Sequence, residues 1–544
     1  MRLTLLPLKS LTQLFYYSGL SGWGLDKEIL FSLISNLRLN YSKATKIPRL
    51  LILLLVILNN RSPLAFFRRV IPAVILTFID KLFYMHLSFA RDFGLISDNK
   101  PQHQNLDQSC QDDIIYDYAI IGSGAGAGVA AISLPNDKKV LILEKGGNSA
   151  VDVGLRHTLA NMILDFADCG MQVVWGKKLI NISQGETLGG GSVINSGLYK
   201  KLSGKNRTEL LDKLSISEED FFRAENFVEG ILKPVLNPEV IKEESLLFRA
   251  GTLKDISVEE VPRWRRKEAK GWVNNSIKDL IWDHQKYIIY SHFEVDSIAS
   301  TDHFLTITGN RKVNEKTEEK VFKAKKVIFS AGTTSTPKLL VGSGYLDSRK
   351  VSFNFAPMLR VFAKVSEGTL GDIDIDPFQC YDKLKGLKFG SGVSTPSLIS
   401  GLLGREFSRK EASTIRSYYV SFKATGNGGM LRGGNFYYNF TKKDIEKGRE
   451  ALSELMAFVR LGGGDFSLYN QNSNPKLEFS SVHIFGSLPW GSSFYQNDST
   501  VLKIEPRICV IDASILPLAP EINPQALVMV LSKLAIERAI NNGF

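Results

Sequence analysis

The sequence has few cysteines and no motif typical of a metal site. Its 544 residues include only four cysteines, which lie far apart and form no CxxC pair: Cys110, Cys169, Cys380 and Cys509. This excludes a disulfide scaffold and a cysteine-based zinc site, and it favours a reducing compartment. No dense cluster of Asp, Glu and His has metal-ligand spacing, so we predict no metal site. A GxSxG motif is also absent, so a serine hydrolase is not expected.

Hydrophobic runs long enough to cross a membrane are missing too. Residues 1–110 carry 13 Lys and Arg against 6 Asp and Glu, with apolar blocks at 50–60 and 70–79. Neither block reaches the roughly 18 residues of a spanning helix, and the N-terminus lacks a typical signal peptide. We predict a helical region that caps the rest of the protein. Helices lying on an anionic membrane surface, or a true span, are the alternatives.

The net charge of +11 does not indicate nucleic-acid binding, because most of the surplus lies in the N-terminal region. Only one Arg-Gly-Gly occurs, at 432–434, and aromatics do not alternate with basic residues as in RNA-binding segments. We therefore expect no nucleic-acid partner. We predict a cytoplasmic protein, peripheral to a membrane if residues 1–110 contact one. The polar segment 98–113 predicts a linker.

A dinucleotide-binding motif follows this linker. Residues 116–121 are an apolar run typical of a buried parallel strand, and 122–131 predict a glycine-rich turn and a helix of small residues. In the GxGxxA pattern, Gly122 permits the turn, Gly124 lets backbone approach a pyrophosphate, and Ala127 allows close packing of helix on strand.

A second apolar run, 139–143, ends in Glu144, which lies 22 residues beyond Gly122. An acid at this position binds the ribose hydroxyls of an adenosine and repels the additional phosphate of NADP. The motif therefore predicts a dinucleotide site, and by itself does not distinguish FAD from NAD. Its members are Gly122, Gly124, Gly126, Ala127 and Glu144.

Three later segments resemble the glucose-methanol-choline (GMC) oxidoreductases. Residues 185–195, GETLGGGSVIN, resemble the second flavin-binding loop of that family. Residues 325–344 resemble its mid-chain signature, and 509–541 resemble its closing strand and helix. With the motif at 122–127 they follow the family's order. The three consecutive glycines at 189–191 and the sequence Gly-Ser-Gly at 122–124 are most similar to the long-chain alcohol oxidase branch.

The resemblance implies an α/β fold, with a Rossmann-like FAD-binding domain and an interleaved antiparallel-sheet substrate domain. We divide the chain into a helical region (1–110), a first FAD-binding part (111–345), a substrate-binding domain (346–480) and a C-terminal return to the FAD-binding domain (481–544). Noncovalent FAD is implied, because Ile194 stands where flavinylated members carry histidine. The resemblance also places near the cofactor Gly189, Gly190, Gly191, Ser192, Asn195, Ala331, Asp512, Ala513 and Pro524.

Two residues are candidates for the chemistry. His483 aligns with the family's histidine, and Asn523 follows 40 residues later. By this resemblance His483 is the base or stabilises the developing alkoxide, and Asn523 donates to the substrate oxygen. The structural alternative is a strand histidine satisfied by a carbonyl and a turn asparagine before proline. Ile484 replaces the family's usual proline after the histidine, which leaves open an inactive protein that still binds FAD.

The implied reaction oxidises a small-molecule alcohol to an aldehyde or ketone by hydride transfer to FAD. Electrons then pass to oxygen, a quinone or another carrier, and the sequence identifies neither alcohol nor acceptor. The alternatives are an FAD-dependent isomerase or desaturase, and a non-catalytic FAD-binding subunit associated with a membrane.

The middle of the chain predicts the substrate side. The runs 418–422 and 435–440 alternate as in an antiparallel sheet. Thr441 followed by Asp444 predicts the N-terminus of a helix that ends at Gly462. We expect its apolar residues to belong to the core.

Overall fold

The computed structural model describes residues 114–148, 165–170, 172–176, 178, 180–236, 241–268, 271–282, 287–313, 316–366, 375–394, 399, 403, 411, 414–426, 428–469, 475, 477–496, 498–519 and 522–544. The N-terminal region 1–110, for which we predict a cap with membrane-surface helices or a span as alternatives, lies outside the described residues, as does the predicted linker 98–113. Among the helices that are described, none has both the length and the apolar character needed to cross a membrane.

The described residues form strands and helices in the following order. The strands are β1 (Ile115–Ile121), β2 (Val140–Leu143), β3 (Gln172–Val174), β4 (Ile180–Ile182), β5 (Pro234–Val235), β6 (Ser257–Glu260), β7 (Arg263–Glu268), β8 (Gly271–Asn274), β9 (Tyr287–Tyr290), β10 (Phe293–Ser300), β11 (Leu305–Val313), β12 (Lys316–Phe329), β13 (Ser352–Phe355), β14 (Met358–Lys364), β15 (Phe378–Asp382), β16 (Leu387–Gly392), β17 (Ile415–Ser421), β18 (Gly429–Arg432), β19 (Asn435–Tyr437), β20 (Ser480–Ser481), β21 (Ile484–Phe485) and β22 (Ile508–Val510). The helices are α1 (Ala125–Ser133), α2 (Gly191–Ile194), α3 (Gly204–Leu214), α4 (Glu218–Leu232), α5 (Leu246–Leu253), α6 (Ile277–Trp282), α7 (Gly332–Gly342), α8 (Lys442–Leu461) and α9 (Gln525–Asn541).

The first sheet has a parallel centre built from distant parts of the chain. Its order is β10-β11-β12-β1-β2-β9, and β22 also pairs with β12. β1 is parallel to β2 and β12, and β22 is parallel to β12. Strands buried on both faces read as continuous apolar runs, as β2 does. The predicted return of the mid-chain and C-terminal segments to the N-terminal sheet is confirmed.

Helices α1 and α9 pack against each other beside this sheet. α9 is the final helix that the resemblance of residues 509–541 implies, and it buries apolar side chains around most of its circumference. Such a helix belongs to the interior of a large domain. The helix therefore closes one core, which is shared by residues from both ends of the described chain.

The second large sheet is mainly antiparallel, as predicted, and has its own core. Its eight strands have the order β3-β4-β20-β14-β17-β16-β15-β6, so β3, β4 and β6 join it from before residue 346. Helices α5 and α8 cover one face, where Phe389 stacks on Phe458 with ring centroids 4.3 Å apart. Because side chains alternate along a strand, the neighbours of Phe389 on β16 point to the opposite face. Two smaller sheets have the orders β19-β18-β13-β21 and β5-β7-β8.

The start of α8 confirms the predicted helix signal. The Thr441 hydroxyl accepts from the Asp444 backbone, and the Asp444 carboxylate accepts from the Thr441 backbone, which satisfies two donors at the helix N-terminus. The helix ends before Gly462. Leu455 and Phe458 are buried in the second core, as expected.

Candidate functional site

The glycines at the junction of β1 and α1 are of two kinds. Gly122 and Gly126 are needed for close packing, whereas Gly124 has open surroundings. Gly122 has φ +92°, and a Cβ there would lie 2.4 Å from the Ser330 carbonyl oxygen. A Cβ on Gly126 would lie 1.9 Å from the Ile511 carbonyl oxygen. A Cβ on Gly124 would meet no atom within 4 Å. Two glycines thus let strand ends approach α1, and Gly124 leaves its backbone accessible.

The second glycine loop contacts this turn. Gly190 has φ +54°, and a Cβ there would lie 2.9 Å from the Gly124 Cα. The Gly189 N–H donates to the Ser123 Oγ at 2.9 Å. A Cβ on Gly191 would meet no atom within 4 Å. The structure therefore joins the two predicted glycine motifs, and each contributes one glycine with open surroundings.

Glu144 is buried at the end of β2 and accepts hydrogen bonds from the turn. Its Oε2 accepts from the Ser123 N–H at 3.0 Å and from the Ser123 hydroxyl at 2.5 Å. Its Oε1 accepts from the Gly146 N–H at 2.7 Å. Burial raises the pKa of Glu144, and these hydrogen bonds act against the rise. A carboxylate has about four acceptor sites, so it retains capacity for a further donor.

Ser123 is a site residue that sequence reasoning missed. Its hydroxyl joins Glu144 to the second glycine loop, and its side chain is fully buried. The signal in the sequence is a hydroxyl residue between the first two glycines of the motif.

Replacing Ser123 with alanine should destabilise the protein. The change removes two hydrogen bonds and leaves buried polar groups with fewer partners, so we expect a loss of about 1–3 kcal/mol in the free energy of unfolding. Urea denaturation of wild type and variant measures it. Ser257→Ala is the control, because Ser257 is exposed on β6. Equal stability of Ser123→Ala and wild type would contradict the role of this hydroxyl.

The end of the second loop is held by Ser192 and Asn195. The Ser192 hydroxyl donates to the Gly189 carbonyl at 2.7 Å and accepts from the Ile277 N–H at 3.0 Å. The Asn195 amide donates to the Gln525 Oε1. The Gln525 Nε2 is buried and has no hydrogen-bond partner. This orphaned donor suits a ligand that supplies an acceptor such as a carbonyl oxygen.

Asp512 connects β22 to the start of α7. Its Oδ2 accepts from the Gly332 N–H at 2.9 Å and the Thr336 hydroxyl at 2.5 Å, and its Oδ1 accepts from the Ser514 N–H at 2.8 Å. Burial raises its pKa. Ala331 is the N-cap of α7, so the mid-chain and C-terminal motifs meet at this carboxylate. Both carboxylate oxygens of Asp512 therefore accept hydrogen bonds from the protein.

His483 lies between β20 and β21, on a segment that runs alongside the turn after β22. The Gly486 N–H donates to the Ala513 carbonyl at 3.0 Å, and the His483 N–H donates to the Ser481 hydroxyl at 3.1 Å. Burial, together with the charge of Lys388, lowers the pKa of His483 to about 3. The imidazole is therefore neutral near pH 7 and offers an unprotonated nitrogen.

Asn523 immediately precedes the α9 N-cap and reaches the second sheet. Its Oδ1 accepts from the Gln379 Nε2 at 2.9 Å and from the Lys388 Nζ at 3.2 Å. The charge of Lys388 also lowers the pKa of His483, so one lysine is linked to Asn523 by a hydrogen bond and to His483 electrostatically. The site lies where the second sheet meets the C-terminal segment of the first core.

Gln379 and Lys388 were also missed from the sequence. Lys388 is buried on β16, and burial, followed by the charge of Lys200, lowers its pKa to about 7. A lysine between the apolar neighbours Leu387 and Phe389 was the available signal. Its direction toward Asn523 depends on strand register, which the sequence pattern did not supply.

Comparison with known proteins identifies the fold. No family model matches the chain, and no curated protein matches it either. Pyridoxine 4-oxidase from Mesorbium loti superposes with a TM-score of 0.58, covering 78% of this chain and 99% of its own at 15% identity. A formate oxidase superposes with a TM-score of 0.63, covering 80% and 99% at 13% identity. The chain has the fold of these oxidases.

A variant of the formate oxidase of Aspergillus oryzae, studied for modification of its FAD, superposes with a TM-score of 0.61 over 80% of this chain and 99% of its own at 13% identity. The predicted fold class, a Rossmann-like domain with an interleaved antiparallel-sheet domain, is thereby confirmed for the described residues. At this identity the likeness extends to the fold and not to the roles of individual residues.

Proposed function

We propose that the protein is an FAD-dependent oxidoreductase of the GMC type that oxidises an alcohol to an aldehyde or ketone. The observation that carries the proposal is the shared neighbourhood of His483 and Asn523 around Lys388, in a fold that also joins two glycine loops. The similar solved structures support it, because they are named as oxidases and one is described with FAD. Membership of the long-chain alcohol oxidase branch is proposed on the sequence of the glycine motifs alone.

The residues present fit a flavin dinucleotide. Gly124 and Gly191 carry backbone that a pyrophosphate can approach, and the buried Gln525 Nε2 suits a ring carbonyl. When bound, FAD supplies a ring that accepts hydride from the alcohol carbon. Binding without a covalent bond is proposed because Ile194 has no nucleophilic atom. The residues proposed to hold it are Gly122, Gly124, Gly126, Ala127, Glu144, Gly189, Gly190, Gly191, Ser192, Asn195, Ala331, Asp512, Ala513 and Pro524.

Residues of the chain supply proton transfer and orientation of the substrate. The neutral His483 either accepts the hydroxyl proton of the alcohol at an unprotonated ring nitrogen or stabilises the developing alkoxide through its ring N–H. Gln379 and Lys388 both donate to the Asn523 Oδ1, which fixes the amide and leaves its Nδ2 to donate to the substrate oxygen. The acceptor that receives the electrons afterwards is proposed only as oxygen, a quinone or another carrier.

Anaerobic titration of the purified protein tests the proposal. We expect a yellow protein whose flavin absorbance is bleached by at least one alcohol, with one aldehyde or ketone formed per flavin. A panel of aliphatic, aromatic and hydroxy-acid alcohols is mixed with the protein, and spectra and products are recorded. A yellow protein that no alcohol bleaches would contradict alcohol oxidation, and a colourless protein that binds no added FAD would contradict the cofactor.

A further inference from the structure

Lys388 is a buried lysine whose hydrogen-bond acceptor is neutral. The residue is 9% exposed, and its Nζ donates to the Asn523 amide oxygen at 3.2 Å. The Tyr381 ring centroid lies 5.8 Å from Nζ. Among the described residues, the charged group that acts on its pKa is another cation, Lys200, which itself pairs with Glu259. A buried charge without a compensating anion is unfavourable, so near pH 7 only part of Lys388 is charged, and an anion bound beside its Nζ would favour the charged form.

The sheet face around Lys388 carries more positive charge. Gly390 lies two residues along β16 and pairs with Tyr419, which pairs with Arg360 on β14. Arg360 therefore shares the face of Lys388, and its Nε is buried without a hydrogen-bond partner. On the described strands β6 and β14 to β17, the pleat places Asp382 and Glu260 on the opposite face. Glu259 on β6 shares the face of Lys388, and it already pairs with Lys200.

An anion that neutralises Lys388 can approach from one side of the second sheet. The opposite face of this sheet is covered by α5 and α8, with Phe389 stacked on Phe458. Lys388 instead points to the side where Asn523 lies, which is the side of the proposed chemistry. An anion at this position would stand next to the reacting alcohol.

We propose that the substrate is an alcohol that carries an anionic group, a carboxylate or a phosphate, and that Lys388 binds this group. Arg360 adds positive charge on the same sheet face. The inference rests on the proposed function, because it names the substrate class of the same site. Hydrogen bonds to charged groups are the stronger ones in proteins, so the anion contributes to selectivity as well as affinity.

Matched alcohols test the proposal. A hydroxycarboxylic acid, its methyl ester and the corresponding hydroxyalkyl phosphate are compared as reductants of the flavin without oxygen. We expect one of the two anions to exceed the ester in kcat/KM by about 10- to 100-fold, the scale of one charged hydrogen bond. Lys388→Met should abolish this preference, mainly by raising KM for the anion, and Lys388→Arg should keep part of it.

The ratio between anion and ester is the decisive quantity. Lys388 also contacts Asn523, so Lys388→Met slows both alcohols, and the ratio cancels this common effect. Lys383→Met is the matched control, because Lys383 is exposed in the turn between β15 and β16. An unchanged ratio in Lys388→Met, or a wild type that prefers the ester, would overturn the proposal.

A binding measurement separates this proposal from the oxidation itself. Calorimetric titration of the wild-type holoprotein with butyrate and with inorganic phosphate reports anion binding without any turnover. Binding that is lost in Lys388→Met and kept in Lys383→Met upholds the anion site even if no alcohol reduces the flavin. If neither probe binds to the wild type, the anion site is refuted, whatever the alcohols do. The probe that binds distinguishes carboxylate from phosphate.

Discussion

Replacing His483 with alanine should leave FAD bound and slow alcohol-dependent flavin reduction by about a hundredfold or more, the usual scale for removal of a general base. The imidazole is neutral because burial and Lys388 lower its pKa to about 3. Alanine supplies no nitrogen for the alcohol proton. Stopped-flow absorbance under anaerobic conditions measures the rate, and the flavin-to-protein ratio measures retention of the cofactor.

Two comparisons make the His483 result specific. His303→Ala is the control, because His303 is exposed in the turn between β10 and β11. Since the imidazole is already unprotonated from pH 5 to 9, wild-type reduction should show no loss of rate near pH 6.5 from this histidine. Reduction at the wild-type rate in His483→Ala would remove the residue from the mechanism.

Alanine at Gly124 should abolish tight FAD binding without unfolding the protein. Gly124 has φ −71°, which any residue adopts, and a Cβ there would meet no protein atom within 4 Å. The methyl group would occupy space that the pyrophosphate needs. We expect FAD affinity to fall about 10- to 100-fold, the range for overpacking of a close contact. Fluorescence titration of apoprotein with FAD measures the dissociation constant.

Gly126→Ala is the matched variant with a different expected failure. Its Cβ would lie 1.9 Å from the Ile511 carbonyl oxygen, so α1 must move away from the C-terminal segment. We expect a loss of about 1–3 kcal/mol or more in the free energy of unfolding of the apoprotein, which Gly124→Ala should not show. If Gly124→Ala binds FAD as tightly as wild type, the pyrophosphate does not pass this turn.

Local signals predicted the elements whose formation depends on nearby residues. The capping pair Thr441 and Asp444 set the start of α8, because a side chain three residues away satisfies the free backbone N–H. β1 and β2 were recognisable because strands covered on both faces need continuous apolar runs. The final helix was implied by the resemblance of residues 509–541 to the closing segment of the GMC oxidoreductases, and α9 is that helix.

Sequence reasoning reached the candidate site residues that lie in a local motif and missed those whose position depends on strand register. Gly122 and Glu144 lie in one strand–turn–helix unit, whose geometry is fixed by near neighbours. Ser123, Gln379 and Lys388 were missed. Gln379 and Lys388 reach Asn523 across 144 and 135 residues of chain, and one step of register on β16 would turn Lys388 to the opposite face.

The sequence by itself determined the glycine turn, the buried acid after the second strand, the order of the motifs and the helix starts. Each depends on the steric and hydrogen-bonding demands of residues a few positions apart. Only the tertiary structure decided that the two glycine loops touch, and that His483 and Asn523 share Lys388 as a neighbour. Those contacts depend on how two separate cores pack together, and burial at that junction shifts the pKa of both His483 and Lys388.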